Sequence, residues 1–163
     1  MSPLWTYFWP VFAFGLALGL VGGILGFRHK RRWLWGFAAV LAICGAALWH
    51  GPIGAADRFA GSVDASARTT LTDYEMTQVT AHLHRAPLTR RLMLSGQADD
   101  FQRSELVRIL DELPGVSQAT WSSAGGIPLL LEAGIVSVVG FLVGLLLAYV
   151  IELRRRYNAQ WKW

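Results

Sequence analysis

The chain reads as a membrane α-helical protein of three transmembrane helices with one small α+β domain outside the bilayer. Three observations predict this. Apolar stretches cover residues 4–27, 33–49 and 129–151, a tight basic turn separates the first two, and a polar insert of 78 residues, 51–128, separates the second from the third. A helix needs about 20 apolar residues to cross the hydrocarbon of a bilayer. The second stretch, at 17 residues, is the shortest of the three. Three units follow: a transmembrane hairpin over 1–50, a water-facing domain over 51–128, and a third span with a basic tail over 129–163.

Basic residues set the orientation, because Lys and Arg beside span ends stay on the cytoplasmic side. The first turn holds Arg28, Lys30, Arg31 and Arg32, and the last span runs into Arg154, Arg155, Arg156 and Lys162, together eight of the 15 Lys and Arg. No basic residue precedes residue 4, and the insert carries seven Arg against nine Asp and Glu. The expected topology therefore places the N-terminus and the insert outside, with residues 28–32 and the C-terminus inside. The setting this predicts is a bacterial inner membrane with a periplasmic domain. A cleaved signal peptide would carry its positive charge ahead of the apolar run. Here the charge follows, so the first stretch reads as a retained anchor.

Of the eight Trp, seven stand near segment ends, where indole rings prefer the headgroup level. Trp5, Trp9 and Trp49 are expected at the outer interface, and Trp33, Trp35, Trp161 and Trp163 at the inner one. Trp121 alone belongs to the insert. Net charge is +4, a value that in a soluble chain would suggest nucleic acid. Because the basic clusters abut the spans, topology and attraction to anionic headgroups explain them, and no nucleic-acid partner is expected. The single cysteine, Cys44, lies mid-span and forms no intrachain disulfide.

Helices in lipid associate through close approach of small residues. Gly15, Gly19 and Gly23 form one stripe on the first span, Gly22 and Gly26 continue beside it, and Gly140 and Gly144 repeat the spacing on the third. The stripe is expected to be the main packing face, toward the chain's own helices or toward a partner. Pro10 removes one backbone donor near the start of the first span and is a candidate kink. Glu132, one turn into the third span, is expected at the outer headgroup level. His50 marks the outer end of the second span, and nothing supplies it with a second haem ligand.

Within the insert, Phe59, Val63, Ala67 and Leu71 recur every four residues and draw the apolar face of a helix over 55–72. A half-buried strand follows, with Val79, Ala81 and Leu83 inward and Thr80, His82 and His84 outward. After Ala86-Pro87 a second strand, with Leu88, Leu92 and Leu94 inward and Arg91 and Met93 outward, completes a hairpin. Asp99 stands three residues before Gln102, in the spacing of a capping box, ahead of a helix expected to bury Phe101, Leu106, Ile109, Leu110 and Leu113. Pro114-Gly115 stops that helix, and a strand over 116–121 closes the order helix, strand, strand, helix, strand.

These residues resemble the BON domain of bacterial envelope proteins. The likeness is carried by Leu92-Met93-Leu94-Ser95-Gly96, by the helix from Asp100 to Leu113 with Arg103, and by Leu113-Pro114-Gly115-Val116, and it covers residues 55–121. It implies a BON-like αββαβ fold and a role in envelope stability or in binding lipid or other envelope components, without catalysis. The chain departs from many members in carrying one copy between spans where they carry tandem soluble copies.

No catalytic constellation is present. His82 and His84 share a strand face, but a stable metal site takes three or four ligands. Asp99 with Asp100, and Asp111 with Glu112, are adjacent on a helix, point in different directions, and read as a cap and a solvated helix end. A phosphate-binding Gly loop, a nucleophile elbow and a CxxC pair are all missing. The expectation is a non-enzymatic inner-membrane protein, without cofactor or metal, whose periplasmic domain binds membrane lipid, envelope components or another membrane or periplasmic protein. The alternative is an accessory subunit of a larger respiratory, photosynthetic or transport complex, docked through its Gly-rich helix faces.

Overall fold

A computed structural model describes residues 2–31, 33–122 and 125–160. Arg32, Trp161, Lys162 and Trp163 lie outside them. Among the described residues the protein is mostly helical, with three helices long and apolar enough to cross a membrane and one small three-stranded sheet. It divides into two compact units: residues up to Tyr7 with 54–132, and residues 8–53 with 133–163.

The second unit is a bundle of α1 (Pro3–His29) from Phe8 on, α2 (Trp33–His50) and α5 (Leu129–Gln160) from Ala133 on. At 1.5 Å per residue, the 18 residues of α2 reach about 27 Å, close to the hydrocarbon thickness. Pro10 lies inside α1, which continues through it. The third helix does not stop with its apolar run. It continues nine residues past Ile151, to Gln160, because 152–160 contain neither Gly nor Pro and supply Arg and Glu, good helix formers.

Direction within the bundle follows from what a side chain on each glycine would strike. A Cβ on Gly15 would meet the Ser137 carbonyl, on Gly19 that of Phe141, and on Gly23 the Ala148 methyl, so α1 and α5 run parallel. A Cβ on Gly22 would meet Ala38, and one on Gly45 would meet Phe14, so α2 runs antiparallel to α1. Both basic segments, Arg28 to Arg31 and Arg154 to Arg156, therefore lie at the same end. On α2 the buried residues are Ala38, Ala42 and Ala46, again every fourth position. Ala38, Ala42 and Phe141 form the bundle's core. Ser137, fully buried, donates its hydroxyl to the Ala42 carbonyl at 2.9 Å. A hydroxyl removed from water needs such a partner.

The first unit contains α3 (Ala55–Asp73), β1 (Val79–Arg85), β2 (Leu88–Gly96), α4 (Asp100–Asp111) and β3 (Gln118–Thr120), in the order expected from the sequence. The central strand, β2, pairs antiparallel with β1 and parallel with β3. A parallel neighbour needs a crossover connection, which α4 supplies. Phe59, Val63, Ala67 and Leu71 are all buried, as are Val79, Leu83, Leu92, Leu94, Leu106 and Leu110. Asp99 and Gln102 form a complete capping box, with Asp99 Oδ1 accepting from the Gln102 amide at 2.7 Å and Gln102 Oε1 from the Asp99 amide at 3.1 Å.

Several expectations are corrected. Phe101 is 74% exposed. At about 100° per residue it sits some 140° around the helix from Leu106, off the face that Leu106 and Leu110 define. Leu88 is only half-buried, whereas Thr89 beside it is 1% exposed. From the pair Leu83 and Leu92 to the pair Arg85 and Leu88, β1 advances two residues while β2 spans four. Both steps are even, so the alternation of facing is kept, and Thr89 is covered by the segment that holds Gly126 and Pro128, the latter its bridge partner. The closing strand is shorter than 116–121, and Asp111 is no free helix end, since its carboxylate accepts from the Ala119 amide. Trp35 packs onto α1. Its ring lies 5.1 Å from that of Phe27 and against Gly26, and its indole nitrogen has no hydrogen-bond partner among the described residues.

Candidate functional site

The helices cover one face of the sheet and leave the other open. On the open face His82, Met93 and Thr120 stand abreast, as do Arg91 and Gln118, while Thr80 and Ser95 share a hydroxyl contact of 2.8 Å. The three strands contain no carboxylate and carry His82, His84, Arg85, Arg90 and Arg91. Most acids of this unit sit on the helices or their ends, among them Asp57, Asp64, Asp73, Asp99, Asp100, Glu105, Asp111 and Glu112. The helices mix these acids with Arg58, Arg68, Arg103 and Arg108, whereas the sheet carries basic residues and no acid.

Both sheet edges carry a carboxylate. From α3, Asp64 accepts the outward amide of Leu83 at 2.8 Å and also pairs with Arg85 at 2.8 Å. From the end of α4, Asp111 accepts the Ala119 amide on β3. Unpaired edge amides are a template for strand addition. One edge amide of each outer strand is thus occupied from within the chain.

Two glycines of the Leu94-Ser95-Gly96 and Pro114-Gly115-Val116 segments explain why those motifs need glycine. Gly96 and Gly115 have φ of 129° and 109°, which side chains rarely adopt. A Cβ on Gly96 would also strike the Gln78 backbone, and one on Gly115 would press into Val63. Pro114 is exposed at the end of α4, and Val116 is buried.

Beside the open face lies a cleft of about 640 Å³ whose lining includes Arg90, Arg91, Gln118, Ile127 and Glu132. Glu132 has a partner on the sheet. Arg90 donates to it at 3.2 Å and to the Gly115 carbonyl at 3.2 Å, so the central strand is tied to the first turn of α5. Sequence reasoning missed Arg90, because ideal alternation gives it no such partner. Trp121 donates its indole N–H to the Arg103 carbonyl at 3.3 Å, and the Arg103 guanidinium lies 5.2 Å from the Trp121 ring. On exposed α4, Glu105 accepts two hydrogen bonds from Arg108 and raises the pKa of that guanidinium above its ordinary value.

Elsewhere the candidates separate. The His84 ring bonds the Pro87 carbonyl at 2.9 Å across the hairpin turn. Among the described residues no group of three metal-ligating side chains converges. Gly15, Gly19 and Gly23 meet α5, and Gly140 and Gly144 meet the α1 backbone at Phe12, Leu16 and Leu20. The glycine faces are occupied within the chain, so a further subunit would have to dock elsewhere. The Ala38, Ala42, Ala46 stripe, which completes this packing, was readable by the same four-residue spacing. Glu152 lies just past the apolar run and is buried between neighbouring Arg.

Fold and surface together describe a protein with three membrane-type helices and one small α+β unit with a basic open face. Comparison with protein-family models, curated proteins and solved structures returns no match.

Proposed function

We propose that this is a non-catalytic, multi-pass inner-membrane protein whose periplasmic, BON-like domain binds an anionic envelope component, lipid or polymer, across its open sheet face. The observation that carries the reading is the carboxylate-free sheet, with Arg91 and His82 outward and an Asp on each outer strand's edge. Like charge on a helix face would repel such a ligand, and this sheet presents none. The αββαβ order supports the BON-like assignment. The gathering of both basic segments at one bundle end supports the orientation, because a positive-inside chain needs them on one side.

Two measurements test it. With Cys44→Ala, a cysteine at exposed Ser62 should react with a membrane-impermeant thiol reagent in intact cells, and one at Gln160 should react only after lysis. Labelling of Gln160 before lysis would reverse the orientation. In mild detergent, the double variant His82→Glu/Arg91→Glu should lose envelope material that the wild type retains while keeping its circular dichroism. Equal retention would remove the open face as the binding surface.

A further inference from the structure

We propose that the basic end of the helical bundle binds the phosphate headgroups of anionic phospholipids, and that the carboxylate of Glu152 limits how strongly it does so. The proposal rests on the membrane reading given above. Arg28, Lys30 and Arg31 end the α1 side, and Arg155 and Arg156 stand on the extension of α5, all exposed. The parallel course of α1 and α5 brings the two groups to one end.

Glu152 is 8% exposed, accepts from Nε of Arg156 at 3.2 Å and from Nη2 of Arg155 at 3.5 Å, and is ion-paired with Nε of Arg155 at 3.2 Å. The two guanidiniums remain largely exposed, at 58% and 64%. One buried carboxylate therefore holds two cations that still face outward. An arriving phosphate competes with that carboxylate for the same two groups, and charge-assisted Arg contacts with phosphate are strong enough to do so. Charge complementarity selects an anionic over a zwitterionic headgroup. Exposed Leu146, Tyr149 and Leu153 on α5 lie beside the site and suit an acyl chain, which distinguishes a lipid from free phosphate.

The test uses the full chain in nanodiscs of phosphatidylcholine with a fraction of phosphatidylglycerol, and native mass spectrometry of the lipids retained. The wild type should retain phosphatidylglycerol preferentially. With about 1 kcal/mol, or about fivefold, per charge near a surface, Glu152→Gln should raise that preference about fivefold. Arg155→Gln/Arg156→Gln should lower it by about tenfold or more, and Arg155→Lys/Arg156→Lys should restore most of it. An unchanged or reduced preference in Glu152→Gln would overturn the role of Glu152. Displacement of the lipid by millimolar inorganic phosphate would assign the site to a soluble anion and overturn the lipid proposal. Carbonate extraction separates the two levels of failure. A chain that is extracted defeats the membrane reading, whereas one that stays inserted without headgroup preference defeats only this site.

Discussion

Replacing Gly19 with leucine is expected to destabilise the helical bundle by about 3 kcal/mol or more, measured by titration with dodecyl sulfate in mixed micelles. A Cβ at this position would strike backbone atoms of Phe141 and Leu145, not the flexible end of a side chain. Backbone cannot swing aside, so the helices must separate along the whole seam. Overpacking of an ordinary core costs about 1–3 kcal/mol, and contact with fixed backbone lies at the upper end or beyond. Membrane level should not fall, because leucine is favoured in lipid. Gly36→Leu is the matched control. Nothing lies within 4 Å of a Cβ there, so its stability should be unchanged or slightly raised by the better helix former. Equal behaviour of the two variants would mean that α1 and α5 are not in backbone contact. The seam also bears on partners, since the residues most suited to docking another helix are already covered by α5.

Leu92→Ala carries the second large effect, an expected loss of about 2–5 kcal/mol, as for truncation of a fully buried leucine. Leu92 is fully buried at the centre of β2, with Leu83 opposite on β1 and Ala119 opposite on β3. Its removal opens a cavity where all three strands meet, and the short β3 offers little to refill it. Amide hydrogen exchange on the full chain should show the loss as faster exchange across β1 and β2, with bundle amides unaffected. Phe101→Ala provides the contrast. A ring 74% exposed should cost within about 0.5 kcal/mol, as surface substitutions do. Comparable losses in both variants would mean that α4 turns a different face to the sheet.

The sequence by itself determined the elements that rest on local chemistry. Runs of apolar residues define three helices, every-four spacing defines the buried face of α3, and the Asp99–Gln102 box starts α4 where its spacing says. These follow from backbone period and composition, which need no knowledge of neighbours. The glycine stripes were legible as packing faces for the same reason.

What faces what was decided only by the tertiary structure. The stripe on α1 is matched by backbone of α5, a helix more than 100 residues later in the chain, and no local pattern names that partner. Thr89 is buried by the segment at Gly126 and Pro128 and Arg90 meets Glu132, contacts supplied by residues far along the chain. Asp64 and Asp111 became caps of sheet edges only once α3 and α4 lay along those edges. Glu152 gained its two Arg because α5 continues past its apolar run, where charge makes a span end but does not end a helix. Hydrophobic period is a property of one segment, whereas edge capping, ion pairing and helix seams are properties of two, and only the folded chain brings the second one into place.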